Sequence, residues 1–201
     1  MSGILGVESV SRETIERLKS LVALLCKWNP TINLVSRTTL PDAWNRHIAD
    51  SAQLYRLGQQ GHWVDLGSGG GFPGLVIAIL AADSQSHALT LIESDQRKAT
   101  FLRTAARELG LNISVLAQRI ENTPPQSANT LSARALAPLP KLLMFAQRHL
   151  TPDGIALFPK GANWREEVEA ARQTCQFDLL TYPSAKEPSG AILAVKAISN
   201  A

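Results

Sequence analysis

His62-Trp63-Val64-Asp65-Leu66-Gly67-Ser68-Gly69-Gly70-Gly71-Phe72-Pro73-Gly74 is the segment from which the fold can be read. An apolar strand (62–66) runs into a glycine-rich turn, and a helix (73–81) opens on proline, which suits a first helical turn. Glycines here permit positive φ and let a ligand approach the backbone closely. Gly69, Gly71 and Gly74 satisfy G-x-G-x-x-G, a weak signal when it stands alone.

Beyond this segment, short apolar runs alternate with helical stretches. Strands are predicted at 88–92, 113–116, 129–133 and 155–158, and helices at 95–109, 139–150 and 164–174. Gly110 stops the first of these helices and Thr151-Pro152-Asp153-Gly154 forms a turn after the second. Residues 177–182 and 191–196 pair as a C-terminal antiparallel hairpin. Such alternation predicts an α/β fold, a mainly parallel sheet with helices on both faces. Ligands then bind at the carboxyl edge, where strand order reverses.

Upstream of residue 61 the pattern is helical. Ile15, Leu18, Val22 and Leu25 recur at helical spacing, Ser11 is placed to cap, and Asn29-Pro30 is expected to end the helix. A second helix begins at Thr39-Leu40-Pro41 and carries Trp44, Ile48 and Leu54 inward. The chain thus divides into a helical N-terminal extension (1–60) packed on a ligand-binding domain (61–201).

Two acids refine the ligand. Asp65 precedes the glycines in Asp-x-Gly-x-Gly-x-Gly. Its charge suits a ligand with a cationic amino-acid end and opposes the pyrophosphate of a dinucleotide; the plainer alternative is a turn cap. Glu93 closes the second strand, where a carboxylate can accept both ribose hydroxyls of an adenosine, or can be a solvated strand end. After the third strand, Ile120 can pack on an adenine and Glu121 can meet its polar edge. Arg134 ends the fourth strand, where an arginine pairs with a carboxylate or contacts ligand or substrate.

Composition limits the remaining options. The net charge of +3 across 201 residues is a mild basic excess, compatible with RNA without requiring it. Cys26 and Cys175 lie far apart, and His47, His62, His87 and His149 are scattered, so neither a disulfide framework nor a metal site is expected. The longest apolar run, 75–82, is too short for a membrane span. Residues 1–14 lack a signal-peptide pattern, and a cytoplasmic location is expected. Arg97, Lys98, Arg103 and Arg107 share one predicted helix, read as a solvated face or a phosphate-binding one.

Together these residues resemble a Rossmann-like class I S-adenosylmethionine methyltransferase. More narrowly, the chain resembles the glucose-inhibited division protein B family, the bacterial 16S (small-subunit) ribosomal RNA guanine-N7 methyltransferases G. Trp28-Asn29-Pro30-Thr31-Ile32-Asn33-Leu34, Arg46-His47-Ile48-Ala49-Asp50-Ser51, the loop 65–74, the stretch 94–98, Ser132-Ala133-Arg134-Ala135 and Lys160-Gly161 carry that resemblance. It implies S-adenosylmethionine as donor, S-adenosylhomocysteine as product, and 7-methylguanosine in 16S rRNA. It also implies donor contacts at Gly67, Phe72, Glu93, Ile120, Glu121 and Arg134, beside Asp65.

The family pattern is not met everywhere. Glu93 stands where aspartate is frequent, and Asn129 replaces an acid. Asn33, His47 and Asp50 are candidates for covering the donor or presenting RNA, or for a network that packs the N-terminal helices. No catalytic base is assigned, the partner is rRNA or the small subunit, and a monomer is expected. The competing readings are a methyltransferase acting on a protein or small molecule, a nicotinamide-dependent oxidoreductase, and a non-enzymatic RNA-binding module.

Overall fold

The computed structural model describes residues 10–84, 86–185 and 187–200. The signal-peptide reading rests mostly on residues outside this set.

Helix α1 (Arg12–Ile32) is capped by Ser11, whose Oγ accepts the Thr14 N–H at 3.0 Å. The expected stop at Asn29-Pro30 is not where it ends. Pro30 lies inside the helix, and the carbonyl it leaves unpaired belongs to Cys26, an exposed residue that water can reach. Termination comes three residues later at Asn33, which adopts φ 48° and donates its N–H to Asn29 O at 3.0 Å. The second helix is also less regular than expected. A 3-10 turn (Leu40–Asp42) and a π-helical stretch (Trp44–Ala49) precede α2 (Asp50–Tyr55). Ile48 and Leu54 are fully buried as predicted, while Trp44 is only partly covered.

Among the described residues, strands β1 (Gly61–Leu66), β2 (His87–Ile92), β3 (Ile113–Leu116), β4 (Ala128–Ala133), β5 (Leu150–Lys160), β6 (Cys175–Pro183) and β7 (Ala191–Asn200) form one sheet. Its order is β3-β2-β1-β4-β5-β7-β6. β1 to β5 are parallel, and β7 runs antiparallel to both β5 and β6, so the parallel sheet and terminal hairpin are as expected. Helices α3 (Gly74–Ala81), α4 (Gln96–Glu108), α5 (Leu139–His149) and α6 (Trp164–Arg172) connect them.

The expected turn at 151–154 lies within β5. Ala128 faces Leu150 while Thr130 faces Ile155, so the turn residues are absorbed as a bulge. Gly154 makes this possible, because a Cβ there would lie 2.8 Å from the Ala128 carbonyl oxygen.

Strand β1 is buried on both faces, as a central parallel strand must be. Val64 and Leu66 pack towards α5, and Trp63 packs with Leu54 and Ile77. Every residue of α3 is buried. That is consistent with a helix apolar all round, because α1 covers its outer side. Leu18, Leu21 and Leu25 of α1 share one apolar cluster with Leu75, Val76 and Ile79.

Candidate functional site

The strand order reverses around β1, which lies between β2 and β4. Loops from the carboxyl ends of these strands enclose three adjoining cavities. One of about 320 Å³ is bordered by Gly69, Glu93, Ile120, Glu121, Lys98 and Ala135. The next, about 450 Å³, lies between the N-terminal helices and the glycine loop, bordered by Leu34, His47, Gly69, Phe72, Arg134 and Ala135. The third, about 550 Å³, is bordered by Asp50, Arg134, Ala135, Lys160, Glu167 and Glu187. Ala135 touches all three cavities, with φ 51° at the end of β4.

The glycine loop is pinned before any ligand arrives. The N–H groups of Gly67 and Ser68 both donate to the Ile92 carbonyl, at 2.8 and 3.2 Å. Gly69 has φ +53°, and a Cβ there would meet only Gly67 O, at 3.7 Å. Its open side therefore faces the two cavities it borders. Glu93, 8% exposed, braces this loop. Its Oε2 accepts the Gly69 N–H and its Oε1 accepts the Asp95 N–H, each at 2.8 Å. Asp95 in turn caps α4 through the Arg97 and Lys98 amides. Each Glu93 oxygen keeps a lone pair for a ribose hydroxyl.

Asp65 lies under the loop and borders none of the three cavities. It is 1% exposed. Its Oδ1 accepts a 2.6 Å hydrogen bond from Ser132 Oγ, which itself accepts from Trp63 Nε1 at 3.0 Å. Oδ2 has no partner of good geometry among the described residues. Burial pushes the acid up to about 6, against the opposing hydrogen bond from Ser132.

Arg134 is the hub of the second and third cavities. Its Nη1 donates to the Arg46 carbonyl at 3.3 Å and reaches Asp50 Oδ2 at 3.4 Å. Its Nη2 lies 3.0 Å from His47 Nδ1. The guanidinium also sits 5.4 Å from the centroid of the Phe72 ring, on which His47 stacks at 5.0 Å. Burial first, then the neighbouring Arg134 charge, depress the His47 pKa to about 4. His47 is therefore neutral at physiological pH.

The remaining sequence candidates separate. Ile120 is buried at the first cavity, and exposed Glu121 pairs with Lys141 at 3.4 Å. Asn33 is exposed and borders none of the three cavities, although Leu34 and Val35 border the second. Of the basic residues on α4, Lys98 borders two cavities. Arg103 donates to the Val115 carbonyl at 3.1 Å and Arg97 pairs with Asp95 at 3.3 Å. Among the described residues, no His, Cys, Asp or Glu cluster suits a metal ion, and no helix is long and apolar enough to cross a membrane.

A family model described as rRNA small subunit methyltransferase G matches residues 14–193. The chain belongs to this family. Ribosomal RNA small subunit methyltransferase G from Cereibacter sphaeroides is 52% identical over 200 residues, covering 98% of this chain and 97% of its own length. The same-named protein of Rhodospirillum centenum is 52% identical over 192 residues, covering 94% and 87%. A solved S-adenosylmethionine-dependent methyltransferase from Aquifex aeolicus superposes with a TM-score of 0.60 at 13% identity, over 76% of this chain and 92% of that one. That likeness shows the fold. The family and fold expected from the sequence are thus met.

Several site residues of this chain are not singled out by the sequence alone. Ser132 was quoted only as part of a motif, yet it holds Asp65. Thr39, expected at a helix start, has its Oγ1 2.9 Å from His47 Nε2. Lys160 donates to the Ala137 carbonyl at 2.9 Å and to Glu167 at 2.7 Å, fixing one wall of the third cavity. For Ser132 and Lys160 the hint was a polar residue at or next to a strand end; for Thr39 it was a hydroxyl at a helix start.

Proposed function

We propose that the chain transfers the methyl group of S-adenosylmethionine to N7 of one guanine in the 16S rRNA of the small ribosomal subunit. In a member of this family, the carrying observation is the meeting of the second and third cavities at Arg134 and Ala135. That junction gives a donor and a base one shared boundary.

The residues fit the donor. The first cavity is within the range of about 300–1,000 Å³ usual for small-molecule sites and has Glu93 for ribose hydroxyls and Ile120 for a base face. Gly67 and Gly69 let the backbone come close, Phe72 forms a wall, and Asp65 supplies negative charge from below. The bound donor supplies an electrophilic methyl on a sulfonium.

The protein does not need a base, because guanine N7 has a free in-plane lone pair. Its work is to orient the acceptor and keep water out, effects worth up to roughly 7–11 kcal/mol. In this reading Arg134 holds guanine O6 and leaves N7 clear. Asp50, beside it, opposes the positive charge that develops on the base. The N-terminal segment, residues 1–60, acts as a cover contributing His47 and Asp50, and residues 61–201 bind the donor.

The reading takes the enzyme as a cytoplasmic monomer. Its large exposed apolar side chains among the described residues are Met144 and Leu180, too few for the core of a stable interface.

Label transfer from radioactive donor to undermethylated small subunits tests the assignment. Counts in rRNA rather than in ribosomal protein or small molecules support it; counts in protein alone refute it. Arg134→Ala lowers turnover more than donor affinity. The reverse pattern would move Arg134 from the base to the donor.

A further inference from the structure

We infer that Thr39, together with Arg134, fixes the tautomer of His47, and that His47 held in that form positions Arg134. The hydrogen bonds allow one directional assignment. Arginine only donates, so His47 Nδ1 must accept from Arg134 Nη2 across their 3.0 Å contact. A neutral imidazole then carries its proton on Nε2, which faces Thr39 Oγ1 at 2.9 Å. The single hydroxyl proton of Thr39 is committed to the Ser36 carbonyl at 2.9 Å, so Thr39 can only accept from His47. The chain runs Arg134 → His47 → Thr39 → Ser36, whose carbonyl also accepts the Thr39 N–H at 3.1 Å.

The choice of acceptor has a chemical reason. A carboxylate at the position of His47 would cancel the guanidinium charge. A neutral imidazole fixes one guanidinium nitrogen without cancelling it. Phe72 holds the imidazole by stacking, at an interplanar angle of 26°, and Asp50 Oδ2 is a longer contact, at 3.4 Å. The other tautomer would point an N–H at Arg134 and break the chain. Thr39, at the border of the second cavity, thus helps to determine where Arg134 sits by acting through His47.

The inference rests on Arg134 serving methyl transfer, so its test has one arm that does not. Nitrogen-15 spectra of labelled histidine at neutral pH read the tautomer directly, His47 being assigned by its absence in His47→Asn. The expected wild-type signature is protonated Nε2 with bare Nδ1. Thr39→Val gives a mixture or the other tautomer, and Thr39→Ser, which keeps the hydroxyl, restores the wild-type form. Protonated Nδ1 in the wild type, or an unchanged tautomer in Thr39→Val, overturns the inference whatever the substrate proves to be.

The second arm is kinetic. Thr39→Val lowers the parameter that Arg134→Ala lowers, by roughly twofold to tenfold, the scale of a neutral hydrogen bond. It adds nothing in the Arg134→Ala background. His47→Asn, whose Oδ1 can replace the Nδ1 lone pair, loses less than His47→Ala. Additive losses for Thr39→Val and Arg134→Ala, or equal losses for the two His47 variants, would reduce this network to packing.

Discussion

Ser132 Oγ donates to Asp65 Oδ1 at 2.6 Å, across 67 residues of sequence, and ties β4 to β1 where the strand order reverses. The bond leaves a fully buried carboxyl whose ionisation is opposed by burial.

That carboxyl should couple donor binding to pH. Its pKa is near 6 in the folded chain against an ordinary 3.8. Between those values the folded state holds a proton that the unfolded state has lost, so stability falls as pH rises through this window. A cationic donor above the loop favours ionised Asp65. Binding of S-adenosylhomocysteine, whose amino group keeps that charge, should release a proton below about pH 6, and affinity should rise with pH and then level. Titration calorimetry in buffers of different ionisation enthalpy measures this. Asp65→Asn should abolish the proton release, weaken binding, and stabilise the apo protein at neutral pH by on the order of 1–3 kcal/mol. Equal proton release in the variant would place the linkage elsewhere.

Glu93 has two tasks, bracing Gly69 and offering its remaining lone pairs to a ribose. Glu93→Ala should weaken donor binding by roughly tenfold to a hundredfold, the loss of a charge-assisted pair of bonds. Turnover at saturating donor should fall much less. Donor titrations followed by steady-state kinetics separate the two, and a drop in turnover with donor affinity intact would contradict the assignment.

Two glycines with positive φ should respond differently to alanine. At Gly110, φ is +64° and nothing lies within 4 Å of a new Cβ. Gly110→Ala should therefore cost only the backbone term, about 1–2 kcal/mol. At Gly71, φ is +88° and a Cβ would overlap the Leu75 side chain. Gly71→Ala adds overpacking to strain and should cost about 2–5 kcal/mol. Urea denaturation ranks them, and equal costs would mean that the loop relaxes freely.

His149 is fully buried in α5, and neither ring nitrogen makes a hydrogen bond of good geometry among the described residues. Burial lowers its pKa from 6.5. The unfolded chain therefore takes up a proton first as pH falls, and stability is lost below about pH 6.5. His149→Met should remove this acid sensitivity and leave neutral-pH stability equal or higher by about 1 kcal/mol. Melting temperatures across pH 5–8 are the measurement. An unchanged acid slope would assign the sensitivity to another group.

The fold was legible because its signals are local. Strand–helix alternation, the glycine loop and the proline after it are each confined to a dozen residues, and the hairpin needed only two apolar runs. Two boundaries were missed for tertiary reasons. Pro30 is tolerated where the freed carbonyl can reach water, and the bulge at 151–154 keeps its turn chemistry inside a paired strand. The site was legible as a set of residue types at strand ends. Its wiring was not, because periodicity tells which face a residue occupies and not which residue it meets. Arg134 and His47 are 87 residues apart, and only the packing of the N-terminal helices over the loop brings them together. The same packing leaves Asn33 outside, since the left-handed cap at the end of α1 turns Leu34 and Val35 to the cavity instead.

The most direct test of the account is to map the modified nucleotide. Small subunits from cells lacking this enzyme would be incubated with the purified protein and S-adenosylmethionine. Their rRNA would then be cleaved by chemistry selective for 7-methylguanosine. The account predicts one new cleavage at a single guanine, absent without donor and strongly reduced with Arg134→Ala. Transfer of label to rRNA with no such cleavage would contradict the N7 assignment, and no transfer to rRNA at all would contradict the acceptor.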